Sequence, residues 1–176
     1  QHIRREKATS NVCTAQVLLA VVAGMYAVYH GPDGLRRIAE RVHGHTAALA
    51  AALKRLGYRL AHEEFFDTLA VEVDKGALPK IVEAARAQRI NLRVLSATRL
   101  GVAFDETTTL ADVNDVAAAF ALGKPVQCKP EQSAIPRGLA RATPFCTHPV
   151  FNTHHSETEM LRYLKRLEDR DLSLTA

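Results

Sequence analysis

The apolar pattern begins at "VLLAVVAGMYAV", Val17 to Val28, where nearly every position is apolar and no single face stands out. This predicts a helix from about Ser10 to His30 that packs on most sides, a core helix, ended by "HGPDG" because Gly31 and Pro32 do not continue a helix. From about Asp33 to Leu56 the pattern changes: Leu35, Ile38, Ala39, Val42, Thr46, Leu49 and Leu53 recur at spacings of three and four. That spacing is the stripe of a second helix with one buried face, and Gly57 supplies its stop. "DTLAVEVD" alternates, with Leu69, Val71 and Val73 on one side, and reads as a half-buried strand. A third helix, "ALPKIVEAARAQR", leads to two further strands, "INLRVL" and "LGVAF", joined through "SAT". "DETTT" then turns into a fourth helix, "LADVNDVAAAFAL".

Strands joined both directly and through a helix describe an α/β fold with a mixed or antiparallel sheet and helices on one face. This domain is expected over residues 1–123. Residues 124–155 carry Pro125, Pro130, Pro136, Pro144 and Pro149 without a sustained period, so they read as an extended connector. The last segment, 156–176, predicts an amphipathic helix. Met160, Leu161, Leu164, Leu167 and Leu172 form its stripe, opposite Lys165, Arg166, Glu168, Asp169 and Arg170.

Composition narrows the partners. The net charge of +4 leaves room for an anionic partner, but the basic residues are interspersed with acids and stand beside no aromatic run, which argues against nucleic acid. Cys13, Cys128 and Cys146 are far apart and form no CxxC, as in a reducing compartment. Val17–Val28 falls short of the roughly 20 apolar residues of a membrane span, so no membrane is expected. The charged start "QHIRREKATSN" has no small-residue cleavage pattern, and Gln1 stands first, which together suggest an excised piece of something longer, or a trimmed product.

Candidate chemistry concentrates in "CTHPVFNTHHSETEM", which holds Cys146, His148, His154, His155, Glu157 and Glu159. Their spacing matches no zinc pattern, whereas Ser156 and Glu159 form the S-x-x-E of a capping box, with both glutamates at the positive end of a helix. A helix cap is therefore expected, and no metal. Asp105 to Thr109 could cradle a phosphate, but acids and hydroxyls between strand and helix read first as turn and N-cap residues. His43 and His45, two apart on a helix, point in different directions and read as surface or edge residues. His2, Arg4, Arg5 and Lys7 cluster before the first helix, where they could meet a carboxylate or phosphate, although Glu6 sits among them.

"QHIRREKATSNVCTAQ", "MYAVYHGPDGL", "FFDTL", "FDETTT" and "FCTHPVFNTHHSETEMLRYLKRLEDRDLSL" together resemble glycine dehydrogenase (decarboxylating), the P-protein family of the glycine cleavage system, over essentially the whole chain. The resemblance implies two similar halves, each like a fold-type I pyridoxal-phosphate enzyme, with the cofactor lysine only in the second. Residues 1–123 then correspond to the small C-terminal domain of the first half, and the last part to the start of the second.

It also implies a reaction. Glycine is decarboxylated with pyridoxal phosphate and the aminomethyl group passes to the lipoyl arm of H-protein. The implied setting is the bacterial cytoplasm, or the mitochondrial matrix in a eukaryote. The implied partners are the rest of the P-protein, lipoylated H-protein and a second copy of the chain. None of Lys7, Lys54, Lys75, Lys80, Lys124, Lys129 or Lys165 lies in the family's His-Lys pair before a glycine run, so no covalently bound cofactor is expected and the segment alone is expected to be inactive. Arg4, Arg5, Lys7, His148, His154 and Glu157 are the candidates for an interface or a wall of the active site. The alternative is a stand-alone interaction module that binds a partner through its first helix.

Overall fold

The computed structural model describes residues 14–130, 135, 138–172 and 174. They form two compact units, one from residues 37–140 and the other from the described parts of 1–36 and 141–176.

The larger unit is an antiparallel sheet covered on one face by helices. Its elements are the end of α1 (Thr14–Arg55), β1 (Arg59–Leu60), β2 (Thr68–Glu72), α2 (Leu78–Ala87), β3 (Arg93–Ser96), β4 (Arg99–Ala103) and α3 (Leu110–Phe120). The strand order is β1-β2-β4-β3 and every pairing is antiparallel. Leu69 lies opposite Val102 and Val71 opposite Leu100, so the alternation read in the sequence places these four on one face. That face packs against Leu49 and Leu53 of α1, Ile81 of α2 and Val113 and Phe120 of α3. Tyr58 closes the end of this core, with its ring edge-on to Phe120 and its hydroxyl donating to the Phe120 carbonyl at 2.8 Å. Burial raises the Tyr58 pKa, with Asp74 a lesser cause. The core also takes in Cys128, whose N–H donates to Asn114 Oδ1 at 2.8 Å. The opposite face carries Glu72 between Arg59 and Arg99, at 3.5 and 3.4 Å across three adjacent strands.

Turn chemistry sets the boundaries. α1 stops at Gly57, where φ is +89°, with Gly57 N–H donating to Lys54 and Tyr58 N–H to Leu53, a left-handed helix stop. "DETTT" is a turn and a cap. Asp105 Oδ1 accepts from the Thr107 N–H and from the Thr107 and Thr108 hydroxyls, and Thr109 with Asp112 forms a reciprocal capping box for α3. These bonds hold both carboxyls below the ordinary aspartate pKa, chiefly through the Thr107 and Thr109 hydroxyls.

Three sequence expectations are corrected. The first helix is not a core helix of this chain: Leu18 is 67% and Leu19 71% exposed, since the described residues include nothing that covers them. His43 is not a surface residue but is buried. Its ring is stacked parallel to Phe66 and its Nδ1–H donates to the Phe66 carbonyl at 2.9 Å, so burial leaves that nitrogen satisfied. The "INLRVL" strand narrows to Arg93–Ser96, is exposed throughout, and carries an irregularity between Val94 and Ser96.

Candidate functional site

The second unit contains the stretch that the sequence marked for chemistry. Its first part is the α1 segment up to Arg36, in which Gly31 leaves helical geometry at φ +60° and ψ 178° while Pro32 follows. This backbone region is open essentially to glycine alone. There is also no room for a side chain, because a Cβ on Gly31 would lie 2.6 Å from both His155 Cε1 and the Phe151 carbonyl oxygen.

Residues 146–156 are folded by their own polar groups. Asn152 Nδ2 donates to the carbonyls of Cys146 and His148, at 3.0 and 3.1 Å. His148 caps a short 3-10 turn, Pro149–Asn152, by accepting the Val150 N–H on Nδ1 at 3.2 Å, so that nitrogen carries no proton. The Thr153 hydroxyl donates to the Pro149 carbonyl at 2.7 Å. α4 (Glu157–Glu168) follows with the expected capping box: Ser156 Oγ accepts the Glu159 N–H, and Glu159 Oε2 accepts the Ser156 N–H and hydroxyl. The Ser156 hydroxyl and N–H are the main reasons the Glu159 carboxyl sits below its usual pKa.

The three histidines thus have separate surroundings. His148 is spent on the turn. His154 is 8% exposed and stacked on Tyr163 with centroids 4.3 Å apart and planes 13° from parallel. His155 donates Nδ1–H to the Tyr29 carbonyl at 2.7 Å. Among the described residues no three His, Cys, Asp or Glu side chains converge on a metal position. Glu157 is exposed at the first position of α4. Arg4, Arg5 and Lys7 lie outside the described residues.

Sequence reasoning named His155 in this stretch but left it out of the interface candidates, although it is the one of the three that reaches back to α1. The available signals were its place just before the capping serine and the glycine-proline break that needed an external partner. A cleft of about 510 Å³ opens along α4, lined by Thr153, His154, Glu159, Arg162, Lys165 and Arg166. Another, of about 680 Å³, lies in the larger unit and is lined by Arg59, Glu72 and Arg99 among others.

Comparison with known proteins decides the relationship. The family described as "Glycine cleavage system P-protein" matches residues 1–120. The chain belongs to this family. Relatives named "Glycine dehydrogenase (decarboxylating)" from Nostoc punctiforme and Vibrio cholerae are 53% and 55% identical to it over 99% of the chain, and one from Xanthomonas euvesicatoria is 56% identical over the same share. The P-protein chain spans 18–19% of the length of these relatives.

Pyridoxal phosphate, which the resemblance implies for the whole enzyme, is held by a lysine whose amine must be available as a nucleophile, through burial or a neighbouring cation. The described lysines do not fit. Lys54, Lys75, Lys80, Lys124, Lys129 and Lys165 are all exposed. Lys165 is held by Asp169 at 2.8 Å, which raises its pKa, the opposite of what a cofactor lysine requires. No cofactor step is assigned to these residues. No described helix is long and apolar enough to cross a membrane.

Proposed function

We propose that this P-protein chain works as part of a glycine-decarboxylating enzyme. Pyridoxal phosphate, held elsewhere in that enzyme, supplies the electron sink for loss of the carboxylate. The aminomethyl group then passes to the lipoyl arm of H-protein. What carries the reading is the identity of 53–56% across 99% of the chain to relatives named for that reaction. The chain's own contribution is placement. The larger unit is a packed support, and residues 146–168 form an ordered connector and helix. His148, His154 and Glu157, with Arg4, Arg5 and Lys7, belong to an interface or to the wall of the reaction site.

By itself the chain does not turn over glycine, a reading supported by the exposure of its described lysines. The test is a chimera in which the matching segment of the Vibrio cholerae relative is replaced by these 176 residues. With lipoylated H-protein it should release carbon dioxide from glycine, whereas the isolated chain should not. A folded chimera without activity, in a background where the unaltered relative is active, overturns the reading.

A further inference from the structure

We draw no further inference here: the strongest candidate, the cleft of about 680 Å³ in the larger unit beside Arg59, Glu72 and Arg99, carries charges that already pair with one another across the strands, and no buried side-chain nitrogen or oxygen among the described residues lacks a partner that an occupant would supply.

Discussion

The Nδ1–H of His155 donates to the Tyr29 carbonyl at 2.7 Å, joining residues 126 positions apart in the chain. The bond forms two residues before Gly31, where the backbone leaves helical geometry. The Phe151 carbonyl and the His155 ring fill the space over Gly31. Break and bond therefore form one joint.

Gly31→Ala should destabilise the chain by at least about 1–3 kcal/mol, the cost of a non-glycine residue in that backbone region, before the clash with His155 and Phe151 is added. His155→Ala should cost less, about 0.5–1.5 kcal/mol, because the Tyr29 carbonyl can turn to water. Denaturant unfolding of both variants checks the order. A Gly31→Ala loss smaller than that of His155→Ala would contradict this account of the joint.

Self-association is expected from the first part of α1. Val17, Leu18, Leu19, Val21 and Val22 are all exposed, a contiguous apolar surface on one helix. Light scattering at high concentration should give a mass above that of one chain, and Leu18→Glu with Leu19→Glu should lower it. A monomer mass for the parent chain would remove the expectation.

Much of the fold is legible where a period operates over several residues. β2 and β4 follow their alternation because one face is buried. Gly57 and Ser156 act through their immediate neighbours, so their roles can be read locally. What was not legible depends on residues distant in sequence. β1 is two residues long, too short for any period, and exists because β2 offers it an edge. His43 looks polar on its helix, and only the arrival of Phe65 and Phe66 makes it a core residue. His154 and His155 are adjacent in sequence, yet one stacks on Tyr163 and the other bonds to Tyr29, a division that no spacing rule contains.

Mixed with pyridoxal phosphate and reduced with borohydride, the chain should show no stoichiometric label at a single lysine. The described lysines are exposed and comparable, and Lys165 is further stabilised as a cation by Asp169, so any adducts should be weak and scattered. Peptide mapping reads this directly. One lysine labelled to completion would mean that the chain holds a cofactor site of its own.

The capping box of α4 gives the sharpest contrast between helix cap and metal site. Ser156→Ala removes the acceptor for the Glu159 N–H and the hydroxyl donor to its carboxylate, and should cost about 0.5–2 kcal/mol of local helix stability. Glu159→Ala should weaken the same cap. The pH dependence follows from the lowered Glu159 pKa: its contribution is complete above the ordinary glutamate value of 4.5 and is lost as the pH falls through the lower folded-state value. Acidification should therefore fray α4 in the parent chain more than in Glu159→Ala, as amide exchange of residues 157–162 would report. Zinc should leave the melting temperature unchanged, because the His148 Nδ1 is occupied by the Val150 N–H, the His155 Nδ1 proton by Tyr29, and Glu159 by Ser156. A zinc-dependent rise abolished by Cys146, His148 or His154 substitutions, but retained in Ser156→Ala, would mean that these side chains can leave their present partners for a metal.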